Sequence, residues 1–213
     1  MLRRMVLVAT LLATPVPAQD LPAPVAGDYM LDLGHSRLLV KLNHLGFSTY
    51  IAPFTDFTAT LAFDPENPAA MKVDATVRIA SLETHYPDPT LKFNETLTGP
   101  EFLDAAQFPD ARFTSTAVTL TGPDTADVTG DLTLHGVTKP ISLQVTYNGG
   151  WGNMPLDPAG ARIGFSATGS FLRSDFGVGY GVPAPGSEMG VSDRVALEIE
   201  MEFTSLSAAV PLD

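Results

Sequence analysis

The 213-residue sequence contains no cysteine. Disulfides, thiol nucleophiles and thiolate metal ligands are therefore excluded, and packing alone must hold the fold together. Basic residues are also scarce: 12 Lys and Arg stand against 24 Asp and Glu, which gives a formal net charge of −12. A surface of this charge repels nucleic acid and anionic lipid. We accordingly expect no nucleic-acid partner.

The sequence also lacks an apolar run of the length that a membrane-spanning helix needs, about 20 residues. A shorter apolar run, Met5 to Ala13, follows Arg3 and Arg4 and precedes the small residue Ala18. This arrangement is typical of a secretory signal peptide, and we predict that residues 1–18 are cleaved after Ala18. A retained anchor is the alternative. The expected location is the periplasm or the exterior, and the protein is not expected to be integral to a membrane.

The remaining chain has the size of one domain. Residues 19–26 are rich in Pro and Ala and are predicted to form a disordered lead-in. The domain itself is expected over residues 27–204, and a short tail over residues 205–213.

Strict alternation of apolar and polar residues predicts strands over most of this domain. The alternation is clearest from Met71 to Ile79 and from Ser192 to Phe203. The predicted strands cover residues 28–33, 36–44, 54–63, 71–79, 111–120, 127–135, 141–147, 161–171 and 192–203. About eight or nine such strands form either a closed antiparallel barrel or a sandwich, and composition does not choose between them.

The alternation stops between Thr90 and Asp104, where the spacing of Leu91 and Leu97 predicts one or two helical turns. An apolar barrel lumen must be covered at its mouth, because otherwise it would lie open to water. We predict that this helical insertion caps one end, with its apolar side against Phe57, Val77 and Ile79.

The stretch from Gly130 to Leu143, GDLTLHGVTKPISL, is the most distinctive in the chain. It predicts two strands around a turn, with Gly136 in the turn and Pro140 opening the second strand. Its amino-acid sequence resembles that of a hairpin in the YceI-like family. Further segments resemble motifs of that family in the same order, and they are His35-Ser36, Asn43 to Phe47, Ala80 to Thr84, Phe102 to Phe113, Gly164 to Phe171, Arg173 to Gly177 and Val191 to Glu202.

Two departures from the family pattern concern loops. The family usually has Gly-x-Phe where this chain has Ala52-Pro53-Phe54, and the loop from Gly149 to Gly160 carries Trp151. Both bear on local loop geometry rather than on the fold.

The resemblance implies an all-β, closed antiparallel barrel of lipocalin-like type with about eight strands and a short helical insertion near 90–104. It also implies a carrier that holds a polyisoprenoid lipid or an isoprenoid quinone in an apolar lumen, without catalysis and without any other cofactor. A homodimer is left open. Aromatic side chains facing inward could equally fill a solid core. The candidate ligand-binding residues are Leu38, Val40, Phe57, Leu61, Val73, Val77, Ile79, Phe93, Leu97, Phe102, Phe108, Phe113, Leu132, Leu134, Val145, Ile163, Phe165, Phe171 and Phe176.

The four histidines, His35, His44, His85 and His135, lack the spacing of metal ligands on a strand or helix. All four are interpreted as structural residues near strand ends, the family resemblance adds a structural or mouth-lining role for His35, His44 and His135, and no metal site is expected. The cluster Arg173-Ser174-Asp175 is interpreted as an Arg–carboxylate pair that closes the barrel, with a catalytic cluster as the alternative.

Two other functional classes are compatible with the strand pattern. An outer-membrane barrel would need girdles of Trp and Tyr, whereas the chain has one Trp and five Tyr. An enzyme that confines an apolar substrate would need an ionisable group inside the lumen, and no charged residue falls on the apolar side of a predicted strand.

Overall fold

The computed structural model describes residues 21–154, 157–187 and 189–205. The predicted signal peptide and the tail from residue 206 lie outside these residues. The strands are β1 (Gly27–Leu31), β2 (Arg37–His44), β3 (Ser48–Phe54), β4 (Phe57–Phe63), β5 (Lys72–Arg78), β6 (Asp110–Leu120), β7 (Thr125–Leu134), β8 (Val137–Trp151), β9 (Arg162–Leu172) and β10 (Arg194–Ser205). The short helix α1 spans Phe93–Leu97, within the predicted insertion. No described helix has the length and apolarity needed to cross a bilayer.

The strands form one antiparallel sheet that closes on itself. β10 pairs with β9 along one edge, and its other edge pairs first with β2 and then, from Phe203 to Ser205, with β1. β1 in turn pairs with β4, and β2 with β3. β1 and β2 thus share one place in the ring, as do β3 and β4, which gives a barrel of eight strand positions. The predicted barrel is confirmed, and the sandwich is excluded.

The hairpin between β7 and β8 has a two-residue turn. Leu134 pairs with Val137, and the intervening His135 and Gly136 have φ values of 50° and 75°. Two successive positive φ angles define the turn type whose twist suits a hairpin. The second strand therefore opens at Val137 and not, as predicted, at Pro140. Pro140 pairs with Asp131 in a part of β8 that precedes its pairing with β9, so its missing N–H interrupts no hydrogen bond between those two strands.

The pattern failed to predict β3. Its residues do not alternate clearly and include Pro53, yet all seven pair with β2, from Leu38↔Phe54 to His44↔Ser48. The strand predicted over 54–63 is interrupted between β3 and β4, where the N–H of Thr55 donates to the carbonyl of Ser81 instead of to a neighbouring strand. The partner strand, rather than local sequence, decides this element.

The predicted lead-in contacts the barrel in its described part. Residues 21–26 have little regular structure, but the Pro22 carbonyl accepts a hydrogen bond from the Gly152 N–H at 2.6 Å. The Tyr29 hydroxyl donates to the Val25 carbonyl at 2.8 Å. From Leu21 onward, the segment therefore lies along one end of the barrel.

Candidate functional site

A cavity of about 1120 Å³ runs through the barrel. Its wall is built from the apolar positions of the alternating strands. β5 contributes Val73, Ala75 and Val77, flanked by Met71 and Ile79. Because alternate side chains of a strand point to opposite faces, the intervening Asp74 and Arg78 are exposed outside. The inward face of the barrel thus encloses a lumen, and the solid core that was the alternative is not formed.

Most of the candidate ligand-binding residues lie on this cavity. Those that line it are Leu38, Val40, Leu61, Val73, Val77, Ile79, Phe93, Leu97, Phe102, Phe113, Leu132, Leu134, Val145, Phe165 and Phe171. The other four, Phe57, Phe108, Ile163 and Phe176, do not.

These four residues pack within or against the wall. Phe57 is buried in a core cluster with Leu38 and Phe113, and Ile163 in another with Tyr29 and Phe63. Phe108 packs against the His135 ring at a centroid distance of 4.5 Å, which covers the turn between β7 and β8. Phe176 is buried edge-on against Phe171, at 5.3 Å. The alternation along each strand correctly predicted which residues point inward. It could not predict which of these side chains line the cavity and which are covered by their neighbours.

Two groups of lining residues were not among the candidates. The first follows from alternation and was recognised only as inward-facing, and it comprises Val195, Leu197, Ile199, Met201 and Phe203 of β10. The second lies at one end of the cavity, and it comprises His44, Tyr50, Tyr86, Arg173, Val178 and Tyr180. Tyr86, Arg173, Val178 and Tyr180 come from turns and loops, where no periodic signal was available to find them. His44 ends β2 and was interpreted only as a structural or mouth-lining residue, and Tyr50 lies in β3, which the pattern did not predict.

The insertion with α1 covers this same end, which we call the capped end. Phe93, Leu97 and Phe102 all line the cavity there. Phe93 packs between Tyr86 and Tyr50, with ring centroids 4.8 and 6.4 Å away. The amide oxygen of Asn94 accepts a hydrogen bond from the Thr84 N–H at 2.9 Å and fixes the helix to the chain before it. Of the residues predicted to lie against the insertion, Val77 and Ile79 line the same cavity as Phe93 and Leu97, whereas Phe57 does not line it.

Arg173 does not form the predicted ion pair. Arg173 is 6% exposed, and its guanidinium donates to four backbone carbonyls, those of Val178, Tyr180, Val191 and Ser192, at 2.7–3.1 Å. Asp175, the carboxylate of the predicted pair, binds Lys139 instead, at 2.8 Å, and the nearby Asp193 accepts hydrogen bonds from Ser174. Burial lowers the pKa of Arg173, and the charge of Asp193 opposes this shift. Arg173 therefore fastens the loop 178–192 over the cavity.

The remaining charged side chains on the cavity are at its ends. His44 is exposed at the capped end, and Glu66, Lys72 and Asp124 are exposed at the opposite end. Burial raises the pKa of the nearby Tyr147 hydroxyl, with a smaller contribution from Asp124. Between the two ends, the described wall is apolar apart from Ser115, whose hydroxyl accepts a hydrogen bond from the Val73 N–H.

A polar cluster lies outside the cavity. Asp32, His35 and Glu202 place potential metal-ligand atoms within 4.8 Å of one another. The Arg162 guanidinium, however, binds both Asp32 and Glu202, at 2.8 and 2.7 Å. Burial alone would lower the pKa of Arg162, but these hydrogen bonds outweigh it and raise the pKa. The arrangement is that of a carboxylate cluster neutralised by arginine.

Comparison with known proteins identifies the family. The YceI-like domain matches residues 29–203. A UPF0312 protein of Pseudomonas syringae pv. syringae is 41% identical over 157 residues, which are 72% of this chain and 78% of that protein. A UPF0312 protein of Pseudomonas putida W619 is 37% identical over 181 residues, 84% of this chain and 86% of that protein.

Solved structures share the barrel. BcnA of Burkholderia cenocepacia superposes with a TM-score of 0.66 at 25% identity, over 81% of this chain and 98% of BcnA. A YceI protein of Campylobacter jejuni gives a TM-score of 0.61 at 31% identity, over 75% and 87% of the two chains. A polyisoprenoid-binding domain from Saccharophagus degradans, at 14% identity, shares the fold with a TM-score of 0.60, over 83% of this chain and 98% of that domain. On the match over residues 29–203 and these relatives, the chain belongs to the YceI-like domain family.

Proposed function

We propose that this protein holds a polyisoprenoid lipid or an isoprenoid quinone in the barrel and acts as a carrier. The observation that carries the proposal is the cavity of about 1120 Å³ with its apolar wall. This volume slightly exceeds the range of ordinary small-molecule sites, about 300–1,000 Å³. Each methylene group that leaves water contributes about 0.8 kcal/mol, so a long hydrocarbon tail needs little polar recognition.

The shape and lining favour a tail over a compact polar ligand. The tail would lie along the barrel axis, with the capped end at one limit and the polar end, near Lys72 and Asp124, at the other. The polyisoprenoid-binding domain of Saccharophagus degradans has the same fold, which supports the ligand class. The predicted signal peptide supports a periplasmic or secreted location, where a carrier would shield such a lipid from water.

The proposal is of a binding protein rather than an enzyme. The charged groups exposed on the cavity lie at its ends, and buried Arg173 is held by backbone carbonyls. Neither arrangement offers a buried general base beside the apolar wall. The apolar side chains also face inward, the reverse of what an outer-membrane barrel presents to lipid.

Native mass spectrometry of the protein purified from its host tests this function. We expect a bound hydrophobic mass that organic extraction removes and that added polyprenol or isoprenoid quinone restores. A water-soluble quinone without the tail is the control, and it should not be retained. Delipidated protein that takes up neither isoprenoid would refute the proposal.

A further inference from the structure

Large apolar side chains are exposed around the capped end of the cavity. Phe47 is 85% exposed at the turn between β2 and β3, and Met189 is 79% exposed in the loop after β9. Tyr180 in the same loop is 57% exposed, and Tyr86, just before the insertion, and Leu91, within it, are also exposed. We call these five residues, Phe47, Tyr86, Leu91, Tyr180 and Met189, the rim.

Backbone and ring contacts show that the rim is one surface. The Leu45 N–H donates to the Gly190 carbonyl at 3.0 Å, which joins the turn of Phe47 to the segment of Met189. Tyr180 packs on Phe102 at 4.7 Å, which joins the loop to the insertion. Phe93 contacts both Tyr86 and Tyr50, which joins the insertion back to β3. The segments that carry the rim residues are therefore joined around the capped end.

The rim is continuous with the interior. Tyr86 and Tyr180 each line the cavity and are also exposed to the outside. An apolar surface thus extends from the lumen, past these two rings, to Phe47, Leu91 and Met189. Exposed apolar surface of this kind marks a site of contact with another apolar phase or partner.

Charge is scarce in two of the three segments that carry the rim, although Asp, Glu, Lys and Arg make up 17% of the chain. Residues 43–50 contain none of these types, and residues 176–192 contain only Glu188, next to Met189. Aromatic and aliphatic side chains on loops with so little charge suit the boundary between lipid headgroups and acyl chains, where Tyr is also favoured.

We propose that the rim docks this protein on the surface of a lipid bilayer, so that the ligand passes between bilayer and cavity without crossing water. The inference rests on the proposed function for the identity of what passes. A protein partner seated on the rim would cover the end through which the ligand moves, whereas a bilayer supplies the apolar phase that continues the lumen. Because the chain has a net charge of −12, docking should be weaker on anionic lipid.

Flotation of the full protein with phosphatidylcholine vesicles tests the docking. We expect the protein to float with the vesicles, and Phe47→Ser with Met189→Ser to lower the bound fraction about tenfold, because the two side chains no longer leave water. Neither residue lines the cavity. The matched control is Met30→Ser with Leu33→Ser, two exposed apolar residues of β1 and the turn after it, and it should float as the parent does.

Uptake of an isoprenoid quinone from detergent micelles, without vesicles, is measured on the same three proteins. Equal uptake by all three, together with reduced flotation of the rim variant alone, supports docking. Equal flotation of all three proteins overturns it, while normal uptake would leave the proposed function standing.

A dimer in gel filtration that only the rim variant dissociates would make the rim a contact between copies and overturn the lipid-surface assignment. Vesicles with phosphatidylglycerol should bind less protein than phosphatidylcholine vesicles, and added salt should reduce this difference.

Discussion

The ring of Tyr180 packs on the ring of Phe102, with centroids 4.7 Å apart, and both side chains line the cavity. The pair joins the loop after β9 to the insertion that carries α1, so it closes the capped end from two sides. An aromatic pair contributes about 0.5–1.5 kcal/mol beyond the area it buries. We expect Phe102→Ala to speed the transfer of bound quinone to acceptor vesicles about tenfold, measured by fluorescence quenching. Phe102→Tyr, which keeps the ring, is the control, and an unchanged rate in Phe102→Ala would show that the pair does not limit exchange.

Val77 and Arg78 are neighbours on β5 that face opposite sides of the barrel wall. Val77 lines the cavity, whereas Arg78 is exposed. A larger side chain at Val77 takes up lumen volume, so Val77→Phe should select shorter isoprenoid tails. Mass spectrometry of lipid extracted from the purified variant measures the tail length. Arg78→Ala should leave the lipid unchanged, and an equal effect of both changes would contradict the lumen assignment.

Arg173 is expected to determine the order of the loop over the capped end. Arg173→Met removes the donors to four carbonyls and leaves these groups without their partner. The free energy of unfolding should fall by about 2–4 kcal/mol, and hydrogen exchange within residues 178–192 should rise more than in β5. The exposed Arg112, changed to Met, is the control and should alter stability by about 0.5 kcal/mol at most. If exchange rises uniformly across the barrel, Arg173 does not act through this loop.

The cluster outside the cavity predicts a dependence of stability on pH. The hydrogen bond from Arg162 is the main cause that lowers the pKa of Asp32, and His35 adds to it. A lowered carboxyl pKa stabilises the fold at pH values above the unfolded pKa of about 3.9, and this contribution is lost as the pH falls through the folded value. Asp32→Asn should therefore destabilise the protein at pH 7 more than at pH 3, as measured by urea unfolding.

Asp131→Asn provides the comparison for this measurement. Asp131 is exposed on β7, and among the described residues its carboxylate makes no hydrogen bond. This variant should follow the parent at both pH values. If Asp32→Asn loses the same stability at pH 3 as at pH 7, the coupling between Asp32 and Arg162 does not contribute to the pH dependence.

Strands could be predicted from the sequence where one face is buried, because each inward residue must then be apolar. From Val73 to Val77, and again from Val195 to Phe203, alternate side chains are apolar because one face of each strand is shielded from water. The turn at Gly136 was also predicted, but its bounds were not: His135, predicted as the end of a strand, lies in the turn, and β8 opens at Val137. β3 was not predicted, because its strand conformation depends on pairing with β2.

The sequence by itself determined the strands with clear alternation, the helical insertion and the side chains that face inward, because these features follow from local periodicity. The choice of a barrel over a sandwich came from the resemblance of short motifs to the YceI-like family. Only the tertiary structure decided that Phe165 and Phe171 line the lumen while Ile163 and Phe176 are covered, since this depends on which neighbours close over each side chain. It also decided the partners of Arg173, because the carbonyls it binds reach it only when the loop 178–192 folds back over the end of the barrel.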